Sequence, residues 1–193
     1  MRVAIFGGTF DPIHTAHLIV AREAADAFAL DRVLFIPAAN PPHKEAGADY
    51  EHRFRMVELA CAGEPRFVPS RLEAAPPSGE KSYSIHTIER VKAEGGEVFF
   101  VIGADAFAEI RTWHRWEDVV RTVDFIVVTR PGHSYISPPG AHVHRLETVV
   151  LGVSSSEIRQ ALSRGGAPQE LPRPVVNYIR ANGLYLASSA TRS

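Results

Sequence analysis

Short unbroken apolar runs alternate with stretches of helical periodicity along this chain, and no other feature restricts its fold as much. Val3 to Phe6, Arg32 to Ile36, Glu97 to Ile102 and Asp124 to Thr129 read as strands. They lack polar alternation, so both faces of such strands must be covered. Ala141 to Arg145 and Thr148 to Leu151 are weaker strands. Between the strands, apolar residues recur at helical spacing in His17 to Ala29, Asp49 to Ala62, Ser84 to Ala93, Ala104 to Ile110 and Trp116 to Thr122. Ser155 to Ser163 and Pro174 to Asn182 continue the pattern, the last ended by Gly183. Strand–helix alternation of this kind predicts an α/β fold: a mostly parallel sheet with helices on both faces. Its ligands are expected beyond the carboxyl ends of the strands.

The chain has 193 residues, enough for one compact domain. We expect that domain to span 1–186, with the C-terminal helical segment 154–183 included. The small, polar tail 187–193 is expected to fray. Pro37 to Gly47, Glu73 to Ser82 and Pro131 to Gly140 read as loops within the domain. Lys plus Arg total 21 and Asp plus Glu 22, a net charge of -1. That balance argues against nucleic acid as a partner and leaves small anionic ligands open. A single cysteine, Cys61, excludes an internal disulfide and any multi-cysteine metal site. Its helical, apolar setting makes it a structural thiol. The start MRVAIFGGTF has no signal-peptide core, and no apolar run approaches the roughly 20 residues needed to cross a bilayer. A cytoplasmic protein without a membrane partner is expected; a homo-oligomer stays open.

The first strand runs into Gly7-Gly8-Thr9-Phe10-Asp11-Pro12-Ile13-His14-Thr15-Ala16-His17. Paired glycines after a buried strand let backbone N–H groups approach an anion. The helix behind them offers free N–H groups and a positive dipole end. His14 and His17, three apart at the helix start, can both point at one ligand and donate hydrogen bonds to phosphate. A glycine turn with two surface histidines is the alternative. The zincin glutamate, the GxGxxG fingerprint and the P-loop order are all missing. Downstream, Ser154-Ser155-Ser156 stands at a helix start, where hydroxyls cap N–H groups or reach phosphate. Arg159, on the first turn, can fork onto phosphate oxygens.

The stretch GGTFDPIHTAH resembles the first signature of the HxGH nucleotidyltransferases, with Ala16 in place of the usual glycine. Val153 to Arg159 (VSSSEIR) resembles their ISSTxIR motif. Asn40-Pro41-Pro42-His43-Lys44, Ser82-Tyr83-Ser84 with Thr87, Ile102 to Asp105, Trp113-His114 and Thr129 to Gly132 narrow the resemblance to the nicotinate-nucleotide adenylyltransferases. It extends from Val3 to about Leu186.

The resemblance implies a Rossmann-like, doubly wound sheet and an adenylyl transfer from ATP to nicotinate mononucleotide in NAD biosynthesis. A sibling acting on nicotinamide mononucleotide or phosphopantetheine is the alternative. It implies His14, His17 and Arg159 as catalytic groups. To ATP it assigns Gly7, Gly8, Thr9, Phe10, Lys44, Gly103, Asp105, Arg130, Ser154, Ser155 and Ser156. To the nicotinate nucleotide it assigns Ser84, Trp113 and His114. Mg²⁺ is implied as a passenger of ATP, with no metal ligands from the chain. His142 and His144 are read as exposed, and Trp116 and Phe125 as core.

Overall fold

The computed structural model describes residues 1–39, 46–74, 83–149 and 152–186. Asn40 to Lys44, Ser82, Leu151 and the tail 187–193 lie outside these described residues, so the expectations made for them are not taken further.

The elements are β1 (Arg2–Gly8), α1 (Thr15–Ala27), β2 (Arg32–Pro37), α2 (Tyr50–Cys61), β3 (Phe67–Pro69), α3 (Ser84–Ala93), β4 (Glu97–Gly103) and α4 (Ala104–Ala108). A 3-10 turn (Ile110–Thr112) precedes α5 (Trp116–Thr122), β5 (Asp124–Thr129), β6 (His142–Glu147), α6 (Ser155–Ser163) and α7 (Arg173–Ala181). The strands form one sheet in the order β3-β2-β1-β4-β5-β6. Every pairing is parallel, so the sheet is more regular than the mostly parallel one expected. One face carries α1, α2, α6 and α7 on a core that includes Ala4, Phe35, Phe99 and Ile126. The other carries α3, α4 and α5 on Ile5, Phe100, Phe125 and Val127. Each fully buried Phe or Ile contributes roughly 1.5–3 kcal/mol.

The strand order reverses between β1 and β4, where doubly wound sheets open a crevice. The pairing shows how it opens. β1 pairs with β4 only from Arg2 against Glu97 to Ile5 against Phe100. β1 and β2 stay paired to Gly8 against Pro37, and β4 and β5 to Gly103 against Val128. The sheet therefore forks at its carboxyl edge.

Several expectations need correction. Gly7 and Gly8 do not stop β1; they are its last two residues. α1 begins at Thr15, not His17, which puts His14 at its N-cap. The weak strand expected over Ala141 to Arg145 is the edge strand β6, His142–Glu147, while the one expected over Thr148 to Leu151 runs into residues outside those described. β3 escaped notice because three residues are too few to show a period. His144 is half-buried, with Nε2 3.1 Å from Asp124 Oδ2 and its ring beside Phe28 and Phe99. His142 is exposed, Phe125 is core, and Trp116 packs partly buried against the second face. Cys61 is buried, and burial pushes its thiol up to about 12, so it is no nucleophile.

Candidate active site

Beyond Gly8 the chain turns through Phe10, which adopts a left-handed φ of 49° and is 2% exposed. Its ring folds back under the strand end: a Cβ on Gly8 would stand 3.2 Å from Phe10 Cζ. The absence of a side chain at Gly8 thus makes room for this ring. The Phe10 and Phe6 rings meet His17 edge-on, at 5.1 and 6.0 Å between centroids. The His14 ring stacks on His17 at 3.8 Å.

The main-chain N–H of His14 donates to His17 Nδ1 at 3.2 Å. An Nδ1 that accepts must be unprotonated, so neutral His17 carries its proton on Nε2. Burial pushes His14 down to about 4, against the pull of Glu170. Burial, with His14 beside it, also holds His17 well below the usual imidazole range. Both rings are therefore neutral donors near pH 7. His14 Nδ1 is buried without a hydrogen-bond partner among the described residues, as suits a group meant for a ligand.

α6 closes the other side. Ser154 caps it: Oγ accepts from the Glu157 N–H at 3.2 Å and donates to the Glu157 carboxylate at 2.8 Å. Ser155 Oγ donates to the Pro12 carbonyl at 3.0 Å. Arg159 Nη1 donates to the Asp11 carbonyl at 2.7 Å, and Nη2 to Ser156 Oγ at 3.3 Å. These bonds stitch the start of α6 to the loop before α1, so both helix N-termini border one cleft of about 400 Å³. Thr9, His14, His17, Gly103, Ser154, Ser155, Ser156 and Arg159 give its polar walls, and Phe6, Phe10, Ala16 and Val128 its apolar ones. Two helix N-termini, two neutral imidazole donors and a guanidinium make a site for a polyanion.

Other expected site residues stand outside these walls. Asp105 is exposed on the first turn of α4, and Arg130 is exposed just past β5; both share the carboxyl edge without lining the cleft. Gly7 sits in β1, where a Cβ would lie 3.9 Å from Phe100 Cζ. Trp113 meets Phe100 edge-on at 5.7 Å, on the second face of the sheet. His114 lies 4.3 Å from the Tyr83 ring, next to Ser84 at the start of α3. The phosphate-type groups and the aromatic groups thus approach the fork from opposite faces of the sheet, with Phe100 on the aromatic side.

Three residues that sequence reasoning missed hold the site together. Arg53, 1% exposed, donates to the carbonyls of Thr9, Ala38, Ala39 and Ala48, at 2.7 to 3.3 Å. A cation beside Phe54 and Val57 on the inward face of α2 was its only trace in the sequence. Asp11, 3% exposed, accepts from the Gly47 and Ala48 N–H groups and from the Tyr185 hydroxyl.

Residues 5–161 match the model of the cytidylyltransferase-like family. The chain is 56% identical over 191 residues to a probable nicotinate-nucleotide adenylyltransferase of Solibacter usitatus, covering 96% of this chain and all of that one. It is 41% identical over 188 residues to its Thermus thermophilus counterpart, again with 96% and full coverage. Among solved structures it resembles Plasmodium falciparum nicotinic acid mononucleotide adenylyltransferase complexed with NaAD. There the TM-score is 0.78 at 20% identity, over 95% of this chain and 97% of the other, a likeness of fold. With similarity along nearly its whole length, the chain belongs to the nicotinate-nucleotide adenylyltransferase family, within the cytidylyltransferase-like proteins.

Proposed function

We propose that this chain transfers the adenylyl group of ATP to the phosphate of nicotinate mononucleotide. The products are nicotinate adenine dinucleotide and pyrophosphate, and the step belongs to NAD biosynthesis. The observation that carries the reading is the convergence of His14, His17, Arg159 and two helix N-termini on the fork in the sheet.

The acceptor phosphate is already an anion, so it attacks the α-phosphorus of ATP without a general base. The new P–O bond forms as the bond to pyrophosphate breaks, and the leaving group takes the electron pair. The task of the site is to hold two polyanions together and to stabilise charge on the departing pyrophosphate. His17 donates from Nε2, Arg159 offers its planar fork, and Ser154, Ser155 and Ser156 surround the N-terminus of α6. We assign Thr9, Phe10 and Gly103 to the walls of the ATP side, and the strand end at Gly7 and Gly8 to the backbone that leads into them. Asp105 and Arg130 act from its rim. Ser84, Trp113 and His114 receive the nicotinate nucleotide, where a flat anionic ring suits an aromatic slab.

Mg²⁺ fits this site as a passenger of ATP. Among the described residues no cluster of three or more His, Cys, Asp or Glu could hold a cation. Asp11, the carboxylate in the walls, is engaged by two N–H groups and a hydroxyl. When bound to the phosphates, the ion would neutralise their charge. No helix among the described residues is long and apolar enough to cross a membrane, and we assign the enzyme to the cytoplasm.

A pyrophosphate-release assay with nicotinate mononucleotide, nicotinamide mononucleotide and phosphopantetheine tests the reading. The first should give the fastest turnover. Faster turnover with either of the others would overturn the acceptor assignment.

A further inference from the structure

Tyr185 comes 174 residues after Asp11, yet its hydroxyl donates to Asp11 Oδ1 at 2.6 Å. The same carboxylate accepts the Gly47 N–H on Oδ2 at 2.6 Å and the Ala48 N–H on Oδ1 at 3.1 Å. Arg159 Nη1 stands 3.5 Å from Oδ2 while it donates to the Asp11 main-chain carbonyl at 2.7 Å. One buried residue thus receives the end of the chain, a loop and the cation of the cleft. The three side chains meet over bare backbone: a Cβ on Gly47 would lie 3.1 Å from Arg159 Cδ, 3.3 Å from Tyr185 Cε1 and 3.4 Å from Asp11 Oδ2.

Two further observations separate this cluster from ordinary packing. Tyr185 holds a left-handed φ of 61°, which a bulky residue keeps only where its surroundings over-determine it. Burial, together with the bond to Asp11, raises the pKa of its phenol, which therefore stays a donor. Arg159 is the cation in the walls of the cleft, and it touches both the main-chain carbonyl and the carboxylate of Asp11.

We propose that Tyr185 and Asp11 are positioning residues for Arg159, so that the C-terminal segment helps to aim the group that meets the phosphates. The hydroxyl occupies Oδ1 and fixes the carboxylate in one orientation. Arg159 then bonds to the main-chain carbonyl of Asp11 and keeps its remaining N–H groups for the ligand. Without the hydroxyl, the carboxylate keeps only the Gly47 and Ala48 N–H groups, carries more uncompensated charge and draws Arg159 into a closer ion pair, away from the leaving group. The proposal rests on the role given to Arg159 above.

A double-mutant cycle tests it. Tyr185→Phe keeps the ring and removes one hydroxyl; thermal melting checks that it folds. It should lower kcat about ten-fold while KM for ATP changes less than three-fold. In an Arg159→Lys background, which keeps a charge but lacks the fork, the same change should cost less than two-fold. Asp11→Asn, of the same shape without the charge, gives a second route with the same expected muting. Equal losses in both backgrounds, or an unchanged kcat for Tyr185→Phe, would overturn the proposal. Failure of the functional reading looks different: the parent itself would then fail to release pyrophosphate with nicotinate mononucleotide. The positioning itself would still be read from a crystal structure of Tyr185→Phe, in which the Arg159 guanidinium should move from the Asp11 carbonyl onto its carboxylate; an unmoved guanidinium would overturn it.

Discussion

The two sides of the fork are built differently. On the phosphate side, His17, Ser155 and Arg159 are bonded to main-chain atoms of the loop before α1, and the loop is gripped by Arg53 and tied to Gly47 through its own Asp11. On the acceptor side, His114 is exposed and leans on a Tyr83 ring that is 36% exposed, while Trp113 is anchored by its edge to Phe100. The contrast fits the two tasks. Stabilising a leaving group requires donors fixed before the reaction begins. Receiving a ring requires a surface, which side chains can complete around the ligand.

The largest expected effect tests the rigid side. His17→Ala should lower kcat by about 10²–10³-fold, the roughly 3–4 kcal/mol that one preorganised donor supplies. Thermal stability should change far less; turnover within a few-fold of the parent would remove His17 from the mechanism and blur the contrast. Next comes the open side. His114→Ala should raise KM for nicotinate mononucleotide about ten-fold and leave KM for ATP unchanged, as measured by initial rates against each substrate. An equal rise for both would show that the two sides act as one.

A third effect is on stability against pH. The folded-state pKa of His14 is about 4, below its unfolded value near 6.5, so the folded state binds fewer protons in that window. Stability should be highest above pH 6.5 and fall as pH drops towards 4. Melting curves over that range should show the decline, and His14→Gln should lessen it, with the buried His17 supplying the rest. The smallest effect is at Ala16, buried between the two histidines. Ala16→Gly should cost about 0.5–1 kcal/mol of stability in denaturant titrations, through lost helix propensity. A kcat unchanged by it would place the methyl group on the structural side of the comparison.

What could be read in the sequence follows the same division. The rigid side was legible because its donors cluster in two short segments at helix starts, where spacing and residue type carry the message. The alternation of strands and helices was legible too, apart from β3, whose three residues have no period. Asp11 stood inside a segment already singled out, but its partner Tyr185 is remote in the chain. Arg53 bonds to carbonyl groups, which every residue has, so its partners left no mark in residue types. Trp113 and His114 were legible only through the family resemblance.

The pairing of β1 with β4 ends at Ile5 and Phe100, and beyond that point β1 leads to Thr9, His14 and His17 and β4 to Gly103. The gap between the branches is governed by the twist of the backbone at the last paired rung. The distance over which one nucleotide must reach the other is thus a property of main-chain geometry. Phe100, the last residue of β4 paired with β1, packs edge-on against Trp113, so the junction and the aromatic side share one ring.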